Sequence, residues 1–383
     1  MTDQTIDTET ATDLDGGDHS ANAVAVASQW QLMIWKFRRH KLAMVGFFII
    51  VFLYSIALFA ELVAPFSPHD YNRRGGFHPP QMIHFIDQTD DGWNLKPYVI
   101  KTKRKRNSIT LATTYTPTDD KIYLEFFGAG STYKMWGLFD ANTRFLTTIN
   151  PKEKFYLLGA DRLGRDMFSR IIYGARLSLS IGLVGVVFAL VLGLSLGGIS
   201  GYFGGFTDTV IQRLVEFVLS LPAIPVWLAL AAALPPTWPI EIRYFVITLI
   251  VSLVGWTELA RVVRGRFLAL RHEDFVIAAR LDGVSETRII FRHMLPSLSS
   301  HIIASVTLAV PLMILAETSL SFLGLGLMSP AISWGVLLKE AQDVRSIVQG
   351  PWLFAPGGAV VLTVLAFNFF GDGLRDAADP YSN

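Results

Sequence analysis

The sequence predicts an all-α polytopic membrane protein with six transmembrane helices, both termini cytoplasmic, and a small strand-rich periplasmic insert between helices 1 and 2. Three observations carry that prediction. The 383 residues are 51% hydrophobic with a mean hydropathy of +0.40, far too apolar for a soluble domain. Six apolar runs are each long enough to cross a bilayer, one over residues 42–64 and five within 156–383. The longest polar stretch between two late runs, Arg261 to Ser300, holds seven arginines, and short Arg-rich loops face the cytoplasm.

In chain order, residues 1–41 read as a cytoplasmic leader. Its first part, 1–28, is acidic and polar, with a disordered composition. WQLMIWKFRRHK (30–41) follows, amphipathic and basic, and Lys36, Arg38, Arg39 and Lys41 hold the N-terminus inside. No cleavable signal peptide is expected. The first span covers 42–64 and stops at Pro65 and Pro68. The insert, 66–155, contains the period-two stretches SITLATTY (108–115) and KIYLEFF (121–127), which read as strands. Its basic run KTKRKR (101–106) reads as solvated surface.

The segment LLGADRLGRDMFSRIIYGARLSL (157–179) reads as an interfacial helix leading into a second span, Leu177–Ser200. Gly185, Ala189, Gly193, Gly197 and Gly201 recur every four residues there, a small-residue stripe that admits another helix closely. The third span, 208–234, is expected to be capped by Asp208 and kinked at Pro222 and Pro225. Its Glu216 is expected to pair with Arg213, three residues earlier. The fourth span, 244–263, carries Glu258 near its inner end. The fifth, 301–320, carries Glu317 near its outer end. Residues 328–352 read as an outer interfacial or re-entrant helix with a Trp anchor, and the last span covers 353–370. Six crossings from an inside N-terminus put the segment 264–300 inside, in agreement with its arginines.

Much chemistry is excluded. A net charge of +1 gives no field for nucleic acid, and the absence of cysteine removes disulfides and Cys-ligated metals. No GxxxxGK[ST] loop is present; GAGSTYK (128–134) lacks the Gly-Lys pair. No HExxH, GxSxG or convincing carboxylate pair appears, and the eight histidines are scattered. Catalysis by this chain is not expected.

Four motifs together carry a family resemblance: DRLGRD (161–166), the spacing Ala278-Ala279, Gly283, Leu295-Pro296, the run SLSFLGLG (319–326), and GDGLRDAADP (371–380). They resemble the ABC importer permeases of the dipeptide, oligopeptide and nickel family, in the second-permease form with an enlarged periplasmic loop. The resemblance implies a coupling loop at 264–300, with Asp274, Ala278, Ala279, Gly283, Leu295 and Pro296 seating it on an ATPase. Where the family usually has Glu, this chain has Ile277. The resemblance also implies a second, homologous permease, two ATPase subunits that bind ATP and Mg, a periplasmic solute-binding protein, and a bacterial inner membrane. It implies no cofactor in this chain. It does not choose among peptide, nickel chelate, opine and oligosaccharide cargo, nor give the insert a role. A secondary transporter or channel using Glu216, Glu258 and Glu317 as intramembrane carboxylates is the alternative, and no inverted repeat supports it. A membrane-bound enzyme is a third class, with the missing site chemistry against it.

Overall fold

The computed structural model describes residues 29–89, 92–106, 113–235 and 237–378. The acidic leader, part of SITLATTY and the last five residues lie outside them. Helix α1, Gln29–Arg39, precedes α2, Lys41–Leu58. The first span is shorter than expected. It breaks at Phe59, and Ala60–Val63 form a separate turn. Arg176 is the physical cause: its guanidinium takes the Glu61 carboxylate at 2.6 and 2.7 Å and the carbonyls of Ala57 and Leu58 at 3.0 and 3.1 Å.

The insert is strand-rich, as its alternating pattern indicated. Among the described residues seven strands follow: β1 Asp87–Thr89, β2 Gly92–Asn94, β3 Tyr98–Arg106, β4 Thr113–Phe126, β5 Ala129–Met135, β6 Phe139–Thr143 and β7 Leu146–Thr148. β3, β4 and β7 form an antiparallel sheet over a small core of Val99, Ile122, Leu124, Leu146 and Phe155. GAGSTYK falls mostly in β5, an extended strand. Buried Arg144 and exposed Trp136 fasten the insert to the end of the first span, donating to the carbonyls of Ala64 and Leu58, each at 2.7 Å.

The second span is one helix, α3, Met167–Phe203, and the separate interfacial helix expected before it does not form. Asp166 caps it by accepting from the Ser169 N–H at 2.7 Å, so the helix starts at the cap. Its 37 residues run to roughly 55 Å, well beyond the hydrocarbon thickness. Next come α4, Gly205–Ser220, and α5, Ala223–Ala232, bent by 84° at Leu221-Pro222. This is a break where a kink was expected: Pro222 offers no N–H to continue the ladder.

Helix α6, Ile240–Leu270, absorbs the first arginines of the polar segment. Then follow α7, Asp274–Leu281, a π-helical stretch Ile289–Met294, and α8, Ser299–Phe322. Short α9, Trp334–Ala341, and α10, Val344–Gln349, lead to α11, Ala355–Ala378, which takes in GDGLRDAA. Trp334 is buried and donates to the Ile171 carbonyl, so it is a core residue and not an interface anchor. Among the described residues five helices are long and apolar enough to cross a membrane, and six spans result if the bent pair counts as one.

The glycine stripe of α3 is used for packing. A Cβ on Gly197 would lie 2.5 Å from the Ala260 carbonyl oxygen, and one on Gly201 would lie 2.7 Å from that of Arg264. So α3 and α6 run backbone against backbone. Side-chain bonds then sort the molecule into two ends. Tyr244 to Ser180 and Ser178 to Glu317 bring together the start of α3, the start of α6 and the finish of α8, beside the insert. At the other end Arg280 stacks over Tyr202, and His40, the cap of α2, lies 3.8 Å from Asp376, joining α7 to the finish of α3 and the start of α2 to the finish of α11.

Candidate functional site

The polar segment builds a knob. Helix α7 is short, and its turn after Leu281 is a Schellman motif: Val284 N–H donates to the Ala279 carbonyl and Gly283 N–H to that of Arg280, each at 3.1 Å. Gly283 has φ +73°, which explains the glycine, and the space around its missing Cβ is open. One face of α7 is core. Val276 and Ala279 are buried with Phe267, Ile289, Met294 and Tyr202. The other face is bare: Phe275, Ile277 and Leu281 are exposed, Leu281 to 83%, with Asp274 and Ala278 beside them.

The six residues expected to act together therefore divide. Asp274, Ala278 and Gly283 share the exposed knob. Ala279 holds the knob to the core and presents nothing outward. Leu295 lines a separate apolar cleft of about 340 Å³ with Leu194, Phe203, Phe267 and Phe291. Pro296 lies in the short helical turn Leu295–Ser297 and is exposed. Ile277, in the position where a Glu was expected, makes the exposed face more apolar.

The three carboxylates are not brought together. Glu216 is exposed and pairs with Arg213 at 2.8 Å, as its spacing indicated. Glu258 is exposed and pairs with Arg261 at 2.9 Å. Glu317 is fully buried. It accepts from Ser321 and Ser333 at 2.8 Å each and from Ser178 at 3.4 Å. Each of these hydroxyls in turn accepts a backbone N–H, from Leu327, Val336 and Trp334 respectively. Glu317 thus ties α3, α8 and the start of α9, and lines no open path.

A further cluster at the insert end went unread in the sequence. Arg170, 1% exposed, donates to Asp161 at 2.9 Å and to both Glu340 oxygens at 2.6 and 3.2 Å. Arg165 bonds the same two acids at 2.6 and 2.8 Å. Asp161 and Arg165 of DRLGRD therefore join Arg170 and Glu340 in a two-Arg, two-acid clasp that holds α9 down. Burial works to raise the Glu340 carboxyl, but hydrogen bonds from Arg170 and the charges of Arg170, Arg165 and Arg162 hold it below its ordinary value. Nothing local in the sequence marks Glu340 as the partner of residues so far upstream. Beside the clasp, burial pushes the Asp166 carboxyl up to about 6. Among the described residues no group of acids and histidines could hold a metal.

Residues 189–381 match the family described as binding-protein-dependent transport system inner membrane component. Residues 28–80 match the N-terminal TM domain of oligopeptide transport permease C. The chain is 30% identical over 365 residues to the oligopeptide transport system permease protein OppC of Bacillus subtilis, covering 95% of this chain and 93% of that one. It is 40% identical over 223 residues to the dipeptide transport system permease protein DppC of Alkalihalophilus pseudofirmus, covering 58% and 71%. An inward-facing structure of the MetNI methionine ABC transporter aligns with a TM-score of 0.43 at 16% identity, over 56% of this chain and 98% of that one.

Proposed function

Because the chain belongs to the family of binding-protein-dependent transport system inner membrane components, we propose that it carries peptides or related small solutes and is driven through the α7 knob. It is a permease subunit of an ABC importer. Peptide cargo is the reading favoured by the relatives' names. The observation that carries the mechanism is the knob itself: a capped turn with Phe275, Ile277, Ala278 and Leu281 bare to solvent. An apolar patch of that kind, rimmed by charge, calls for a protein partner.

In this reading the knob seats in a cytoplasmic ATPase subunit, and the ATP and Mg are held there. A second permease completes the pathway, and a solute-binding protein delivers cargo on the insert side of a bacterial inner membrane. The bent pair α4–α5 starts beside the finish of α3 and ends beside the start of α6, at opposite ends of the bundle, which supports counting it as one crossing. That makes six spans, with both termini and the knob on one side, and the arginines favour the cytoplasm for that side. Nucleotide-driven closure of the ATPases would pull α7, and the welded pair α3–α6 would tilt to expose the pathway alternately. The carrier reading loses support, since its three carboxylates share no bond with one another.

Gly283→Trp tests this. The Trp would sit at a left-handed position in the mouth of the seat. The variant is expected to insert normally and to abolish uptake by cells carrying the whole importer. Wild-type uptake would sink the coupling assignment.

A further inference from the structure

Helix α4 is held in an unusual way. At the junction of α3 and α4 stand two consecutive glycines, Gly204 at φ +66° and Gly205, the first residue of α4, at φ +56°, with open space around the second. Gly204 is buried against Arg271, but Gly205 has neither a side chain nor a close neighbour to stiffen it, so the junction can flex there. Beyond it, Val215 is the only residue of α4 that is buried. Phe206, Val210, Leu214 and Phe217 are all exposed. Apolar packing therefore does little to fix the direction of this helix.

A polar pin does that instead. Asp208 was expected to cap the span, yet it lies inside the first turn and takes Arg264 of α6 in a two-point grip. Arg264 Nε donates to Oδ1 at 2.5 Å and Nη2 to Oδ2 at 2.6 Å. Ser200 of α3 donates to the same Oδ1 at 2.5 Å and accepts from Gln212 of α4 at 3.0 Å. A planar guanidinium fork on a carboxylate fixes orientation as well as distance. Arg264 stands on the last two turns of α6, which lead straight into the knob, and its own carbonyl faces Gly201 of α3.

We propose that Asp208 and Arg264 are the positioning residues that pass motion of the knob to the hinged arm α4–α5, whose 84° break then moves as the gate. The proposal rests on the permease reading. The welded pair α3–α6 moves as one body, the hinge lets α4 lag behind, and the pin makes it follow. Without the pin, ATP would be spent and α4 would stay where it was.

The chain has no cysteine, so two can be placed without background from this subunit. Val210→Cys on α4 and Val361→Cys on α11 are both exposed and take spin labels. The importer is assembled with cysteine-free partners in nanodiscs, and the distance between labels is compared without nucleotide and with ATP plus vanadate. The unaltered pin is expected to give a clear distance change. Asp208→Asn and Arg264→Gln are expected to lose it while ATP hydrolysis continues, and Asp208→Glu is expected to keep it. The charge exchange, Asp208→Arg with Arg264→Asp, is expected to restore it, which a purely stabilising role would not require. Ser200→Ala, a milder change, should shrink it and leaves a measurement if the charge variants do not assemble. A full distance change in both single variants would overturn the proposal, as would an exchange variant no better than either. ATPase subunits that fail to co-purify with the unaltered chain would overturn the permease reading itself.

Discussion

The two ends of the bundle treat charge in opposite ways. At the insert end, Arg170 and Asp161 are buried, Arg165 nearly so, and all three are neutralised inside the chain with Glu340. At the α7 end, Arg261, Arg266, Arg280, Arg288 and Arg292 stand in solvent beside the bare Phe275, Ile277 and Leu281. Composition alone does not separate these regions, since both are Arg-rich with acids interspersed. The difference lies in who supplies the partner. One end is closed on itself and sets geometry. The other pairs Arg264 with Asp208 and Arg261 with Glu258, but leaves its remaining arginines solvent-facing and its apolar surface open.

The largest effect should come from opening the closed end. Arg170→Ala strips a buried cation from two acids, and a broken buried pair costs about 3–5 kcal/mol. The variant in detergent is expected to melt far below the parent, while Arg261→Ala at the open end should melt with it. Equal melting of Arg170→Ala and the parent would erase the contrast between the ends.

A smaller effect should appear with pH. Asp166 sits at the closed end with its carboxyl at about 6 against an ordinary 3.8. The folded chain therefore holds this proton more tightly than the unfolded chain does. The contribution is fully present below pH 3.8 and is lost as pH rises through 6, by on the order of 3 kcal/mol at most. Glu340 has the opposite sign: its carboxyl is held low, so its contribution is present above its ordinary range and lost as pH falls. Asp166→Asn keeps an oxygen for the Ser169 cap and removes the first effect alone. The melting difference between variant and parent should grow in favour of the variant from pH 4 to pH 7. A difference that is flat across that interval would mean the buried carboxyl is not strained.

What the sequence made legible was local. The four-residue glycine stripe announced a close helix contact, though not that α6 would make it, and alternation announced the strands of the insert. Arg213 and Glu216 announced each other by spacing. What stayed hidden was long-range or a matter of face. Arg170 finds Glu340 across most of the permease core, and Asp208 finds Arg264 across a bent span. The start of α3 was missed although Asp166, three residues before Ser169, is a usable cap signal; the apolar run that begins later outweighed it. Pro222 marked the break in the third span but could not give its angle, because α4 is directed by a contact with α6.

The sharpest form of the comparison is inside one motif. Ala278 and Ala279 are neighbours in sequence and opposites in space: the first is exposed on the knob, the second is buried against Phe267 and Ile289. The family resemblance gave both one role, because a pair of small residues carries no periodicity that would separate them. The structure leaves Ala278 exposed and packs Ala279 inside, so the proposed docking role falls to Ala278 alone. Ala278→Trp should therefore change melting by no more than about 0.5 kcal/mol, as surface substitutions usually do, yet the ATPase subunits should no longer co-purify. Ala279→Trp should do the reverse in order of events, overpacking the core at a cost of about 1–3 kcal/mol before any docking is tested. If Ala278→Trp retains the ATPases while Ala279→Trp melts like the parent, the two faces of α7 have been assigned the wrong way round, and the open end of the bundle must be sought on another surface.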